Sequence, residues 1–377
     1  MTDDLVELTG LTDEGGTGVE PEDTDSEEVI ASPFAPGSIR ISTSILSIGQ
    51  LVKRIDTGEM DLVPDFQREF VWNDVAQSRL IESMLIRFPL PAFYMDATDN
   101  DKWLVIDGLQ RLSTVARFVL RNDLRLRDLD YMGEQLNGKT YNDLRRSLQR
   151  RIDETQVTVY KIDKGTPPEV RYNLFKRINT GGLPLSPQEI RHALYPGQAN
   201  PYLAKLADSE EFKRATQNSI RDKRMGDREM VLRFLAFSIT PYTEYRTNLV
   251  AFLNEHTDKI NKMSQEELDN REKHFLRAMR AAYDIFGDRA FRKIYGKEGR
   301  YSHISKPLFE VWAVNLDKLT DNEIQLLTER KEQVINNFIK IMEDGSFDNS
   351  ISVATGTPNR VKTRFEYIEN LIREVLA

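Results

Sequence analysis

Val105-Ile106-Asp107-Gly108-Leu109-Gln110-Arg111-Leu112-Ser113-Thr114 passes from a β-branched apolar pair, through Asp-Gly, into a stretch with helical spacing. Trp103 to Ile106 reads as a buried strand; Leu112, Val115, Ala116 and Val119 read as one face of a helix. Asp107 therefore stands where a strand hands over to a helix. Gly108 lets a backbone come close to a ligand. Free N–H groups at a helix start favour an anion, and Arg111 offers a planar fork to a phosphate. Asp107 could hold a divalent metal or orient a water. A plainer reading stays open beside this one, in which Asp107 only caps the helix.

Outward from this stretch the pattern is mixed. Arg40-Ile41-Ser42 reads as a short strand, and Ser47 caps a helix running to about Thr57. Leu62 to Trp72 is extended, because Pro64 disfavours helix in the residue before it. Asn73 caps a helix that ends before Pro89 and Pro91, and Ala92–Met95 and Thr155–Ile162 read as strands. Beyond Gly165 the period turns helical. Pro167-Pro168 opens a helix through Asn179, which Thr180-Gly181-Gly182 ends. Capping boxes follow at Ser186…Glu189, Ser264…Glu267 and Thr320…Glu323. Helices are expected at 201–207, 227–238, 246–260, 265–286, 306–318, 321–343 and 361–376. The expected class is α+β. A tail (1–37) precedes an α/β domain (38–165) and an all-helical domain (166–377).

Net charge is −8, but it is unevenly spread. Residues 1–39 hold eleven Asp or Glu and no Lys or Arg, so the remainder stands at +3. Such a segment buries too little apolar surface to offset its ordering entropy, so residues 1–37 are expected to be disordered. It could be a solubilising tail, or a DNA-mimicking flap over a basic groove. Cysteine is absent, which excludes disulfides, thiolate metal sites and cysteine nucleophiles. No run approaches the roughly 18 apolar residues of a membrane helix. No secretory pattern opens the chain, so a cytoplasmic setting is expected.

Two further motifs flank the first. Phe66-Gln67-Arg68…Trp72 lies upstream, and Phe175-Lys176-Arg177-Ile178-Asn179 lies downstream, followed by Leu185 to Arg191. In this order the three motifs resemble the N-terminal domain of GmrSD-type restriction endonucleases, a ParB-like family. The resemblance covers about residues 40–195. It implies a small ParB/sulfiredoxin-like domain that binds a nucleoside triphosphate, with Mg2+ as a companion ion. By position it implies catalytic roles for Asp107 and Arg111, a metal-binding role for Asp107, and nucleotide contacts from Gln67, Arg68, Gly108, Gln110 and Asn179. Leu109 departs from the family, which usually has glutamine there; leucine cannot donate a hydrogen bond to a nucleotide.

The implied function is an NTP-binding and NTP-hydrolysing component of an anti-phage or modification-dependent defence system. It would act on DNA with a separately encoded effector or nuclease, and a homo-oligomer is compatible. The alternative is a non-catalytic module that recognises modified DNA. A nuclease centre is not expected in this chain. His303 lacks a preceding acidic residue and a downstream Asn/His pair. For nucleic acid, Arg221, Lys223, Arg224 and Arg228 form the better basic cluster, although a solvated helix face explains it equally well.

Overall fold

The computed structural model describes residues 18–20, 22, 39–60, 62, 72–178, 185–220, 223–295 and 300–377. The chain divides into two units: Phe34–Leu185, and Met1–Pro33 together with Ser186–Ala377.

The first unit runs β1 (Ile41–Ser47), α1 (Ile48–Asp56), α2 (Asp74–Leu85), β2 (Phe93–Ala97), β3 (Leu104–Asp107), α3 (Leu109–Ala116), α4 (Arg146–Asp153), β4 (Gln156–Asp163) and α5 (Pro168–Ile178). Its sheet has the order β1-β4-β2-β3. β2 lies parallel to β4, and the two outer pairings are antiparallel. Period-2 alternation decides the faces. Phe93, Met95, Val105, Val157 and Val159 point into a core shared with Ile48, Leu51, Ile81, Met84, Leu85, Leu112 and Val115. Local chemistry sets the helix starts as expected. Ser47 forms a capping box with Gln50, and the Asn73 side chain accepts from Ala76 N. The first strand runs further than Arg40–Ser42, because β4 offers it seven pairing positions. After α3 the chain widens into one π-helical turn, Arg117–Arg121, which buries Phe118.

The loop after that turn is pinned from α2. The buried Glu82 carboxylate accepts from Asp130 N (2.9 Å), Tyr131 N (2.8 Å) and Met132 N (2.7 Å). Three N–H donors on one carboxylate replace its lost hydration.

The second unit is mainly helical: α6 (Pro187–Leu194), α7 (Ala199–Ala207), α8 (Glu210–Ala215), α9 (Gly226–Ile239), α10 (Leu249–Asn261), α11 (Gln265–Phe286), α12 (Lys306–Asp317), α13 (Asp321–Glu329), α14 (Lys331–Met342), α15 (Gly345–Ser352) and α16 (Pro358–Leu376). All three expected capping boxes form. Leu308, Phe309 and Trp312 are fully buried at the start of α12. Three expectations need correction. A hairpin, β5 (Arg292–Tyr295) with β6 (Arg300–Ile304), interrupts the helices. The helix expected over 321–343 breaks at Arg330, which leaves helical geometry (φ −97°, ψ 22°) and donates to the Val375 carbonyl. And the expectation of a disordered tail does not extend to Gly18, Val19, Glu20 and Glu22. Val19 pairs with Ile304 and is buried, as are both glutamates. The rest of 1–37 lies outside the described residues.

Candidate functional site

Asp107 is the last residue of β3, and Gly108 starts α3 with φ +104°. That φ is one L side chains rarely adopt. A second constraint adds to it: a Cβ on Gly108 would lie 2.3 Å from Phe93 Cδ1. The N-cap position falls on Gly108 and not on Asp107. Its carboxylate serves another bond.

Arg111, one turn on, donates through Nη2 to Asp107 Oδ2 at 2.7 Å. The same guanidinium donates to the Pro91 carbonyl and to Ala92 O (3.2 Å), and lies 4.4 Å from the centre of the Phe93 ring. It is buried, and desolvation, only partly offset by Asp107, lowers its pKa. Three of its five N–H donors meet Asp107 and two carbonyls, so in this structure the fork that was expected to meet a phosphate is turned to the protein. Arg111 acts here as a positioning residue. Asp107 is one-third exposed, and among the described residues its Oδ1 has no hydrogen-bond partner.

Gln110 accepts from Trp72 N at 3.4 Å, tying the helix start to the residue that ends the first motif. Leu109 packs against the core of its unit. This gives the apolar residue at that position a packing role.

Sheet register adds residues the sequence reading missed. Tyr94 pairs with Asp107 on one side and with Tyr160 on the other. The Tyr94 and Tyr160 rings stack with centroids 5.0 Å apart and planes 20° apart. A carboxylate thus stands in line with an aromatic pair, beside an irregularity at Tyr94/Met95. Strand bulges of this kind re-aim side chains. Next along β2, the buried Asp96 pairs with Arg171 of α5 at 3.1 Å. The alternation Phe93/Met95 against Tyr94/Asp96, and Val159 against Tyr160, was the available signal.

Gln67, Arg68, Asn179 and Arg221 lie outside the described residues, as does the Lys223 side chain. Arg224 has φ +72°, its carbonyl accepts from Ser186 Oγ (2.8 Å), and its Nε lies 3.9 Å from Glu189. Arg228 falls in the first turn of α9, half-buried, where it lines a cleft of about 740 Å³ with Lys205, Lys213, Asp208 and Asp227. The alternating signs there weaken the reading of a basic nucleic-acid stripe. Among the described residues, no three His, Asp or Glu side chains gather into a metal cluster. Nor is any helix long and apolar enough to cross a membrane.

Comparison with known proteins agrees with this geometry. Residues 48–196 match the family model described as GmrSD restriction endonuclease, N-terminal domain. Over those residues the chain is similar to that family, as the resemblance read from its motifs implies. No curated protein and no solved structure matches the chain.

Proposed function

We propose that this chain is a nucleoside-triphosphate-binding component of a DNA-directed defence system, and that Asp107 serves hydrolysis of the bound nucleotide. The observation that carries the reading is the Asp107 carboxylate. It is held by Arg111 through Oδ2 and stays one-third exposed beside the left-handed glycine that opens α3, with Oδ1 lacking a hydrogen-bond partner among the described residues. The N–H groups that open α3 suit phosphate oxygens. The Tyr94–Tyr160 pair supplies a planar face for a base or ribose. A lone carboxylate also fits Mg2+, which binds through one or two carboxylates plus substrate phosphates and would offset their charge. Asp107 then orients the attacking water, and Arg111 keeps the carboxylate aimed. Partner DNA and a separately encoded nuclease follow from the family context, not from a site in this chain.

Calorimetric titration of ATP, GTP, CTP and UTP into the full chain, with and without Mg2+, tests the binding step. Saturable binding of at least one, weakened about fivefold by Tyr94→Ala (roughly 1 kcal/mol for an aromatic pair), supports the reading. No binding by the wild type sinks it.

One observation favours a second reading. Because Arg111 is committed within the protein, the site could recognise a modified nucleotide in DNA and perform no chemistry. Gel-shift binding to modified but not plain duplex, undiminished when NTP is left out, would favour this module over the hydrolase.

A further inference from the structure

Gly18, Val19, Glu20 and Glu22 fit the helical unit as a peptide fits a receptor. Gly18 has φ +79°, and a Cβ there would fall 1.8 Å from Ser219 O, so the groove admits only glycine at that point. Val19 pairs in parallel with Ile304 and fills the apolar core of this unit. Glu20 N donates to Ile304 O at 2.8 Å, extending the β5–β6 hairpin by one strand-like segment. The Glu20 carboxylate takes Lys293 Nζ at 3.1 Å and the Ser302 hydroxyl. The Glu22 carboxylate receives both Nη atoms of Arg233 and the Thr355 hydroxyl.

The pocket behind these glutamates is cationic by construction. Arg233 also meets Glu229 (2.9 Å) and Glu310 (3.4 Å), Lys306 meets Glu229 (3.5 Å), and Arg364 pairs with Glu310. In this network Arg233, Lys306 and Arg364 meet Glu229 and Glu310 from the unit itself, Arg191 adds its charge near Glu229, and Lys293 meets Glu20. The two carboxylates of the segment supply the missing negative charge. Arg233 and Glu22 are almost wholly buried, at 2% and 4% side-chain exposure. Such a pair survives burial only with its partners in place. Main-chain pairing to a sheet edge, an apolar anchor and alternate charged pockets make up one of the recurring modes of peptide recognition.

We propose that the β6 edge and the Arg233 pocket form a docking groove for an extended acidic peptide of a partner protein, with a small residue, an apolar residue and an acid in succession and a second acid two places on, and that Gly18, Val19, Glu20 and Glu22 are its tethered occupant. In this account the acidic tail is a self-supplied competitor. The partner engages the groove by displacing it. The inference stands apart from the nucleotide site and does not depend on it.

The test uses the full chain with a site-specific protease sequence inserted between Asp25 and Ser26. A fluorescent peptide copying residues 14–25 is followed by anisotropy before and after cleavage. The proposal expects saturable one-to-one binding to the cleaved chain and at least tenfold weaker binding to the uncut chain. It expects at least tenfold loss when the peptide carries Glu22→Gln or Gly18→Val, and weakening with salt. Placing the substitutions in the peptide leaves the fold of the receptor untouched. Equal binding by cut and uncut chains, or indifference to Glu22→Gln, would overturn it. So would loss of the far-ultraviolet helical signal once the cleaved segment departs, which would make Gly18, Val19, Glu20 and Glu22 an integral part of the core. Displacement of the labelled peptide by duplex DNA but by no unlabelled peptide would identify a phosphate receptor and contradict the peptide assignment.

Discussion

Arg111 Nη2 holds Asp107 Oδ2 at 2.7 Å across one turn of α3, and the same guanidinium closes onto the Pro91 and Ala92 carbonyls. The pair converts a strand end into a fixed carboxylate. Replacing Arg111 by Ala leaves three acceptors short of a donor. The expected loss is about 1–3 kcal/mol, the usual penalty for unsatisfied buried polar groups. Urea unfolding midpoints check this. Arg111→Lys should restore less than half, since a point charge cannot reproduce the fork.

Gly108 is constrained twice, by φ +104° and by the Phe93 ring. Gly108→Ala should therefore destabilise by about 1–3 kcal/mol through strained backbone, with the collision added. In Gly108→Ala/Phe93→Leu the collision is relieved but the strained φ remains. The double mutant should thus cost less than the sum of its singles. Strict additivity in a thermal-melt cycle would show that Phe93 is not the obstacle.

In the helical unit, acid should loosen the Arg233 network. Burial raises the Glu229 carboxyl, but Lys306, Arg233 and Arg191 outweigh it and hold it down to about 2. Burial also raises Glu22, and Arg233 and Lys306 bring it below its ordinary value. Groups lowered on folding contribute stability above their unfolded pKa of 4.5 and lose it as pH falls through the folded value. Glu310 has the opposite sign. Burial leaves it above its ordinary value despite Arg364 and Arg233, so acidification relieves it. With two groups against one, stability should fall below pH 4.5. Glu22→Gln should flatten that slope, as read from thermal midpoints between pH 3 and 6.

Glu82 offers a control remote from Asp107. Its carboxylate satisfies three successive backbone donors. Glu82→Ala should cost about 1.5–3 kcal/mol, as for hydrogen bonds to charged groups, and should raise hydrogen exchange at Asp130, Tyr131 and Met132 before other amides. Uniform exchange along the first unit would contradict the assigned role.

Local chemistry made part of this legible in the sequence. The strand-to-helix step at Asp107-Gly108, the cap at Asn73 and the boxes at Ser186, Ser264 and Thr320 each depend on residues within a turn of one another. So does the helix over Gln265–Phe286, which matches its expected span. What escaped was set at long range. Tyr94 meets Tyr160 only because β2 pairs parallel with β4. Glu22 meets Arg233 across 211 positions. The committed state of Arg111 depends on the Pro91 and Ala92 carbonyls, whose direction no spacing rule supplies. A sequence reading therefore found the carboxylate and its arginine but not the bond between them, pointing Arg111 to a phosphate where the structure turns it to Asp107.

The most direct test of the central claim is the steady-state rate of phosphate release from saturating Mg2+–NTP by the full chain and by Asp107→Asn, on the nucleotide that calorimetry shows to bind. The account predicts measurable turnover by the wild type and a loss of about 10²–10⁴-fold in the variant, the range for a positioned acid–base group, with nucleotide affinity changed far less. Equal rates for the two proteins would contradict it.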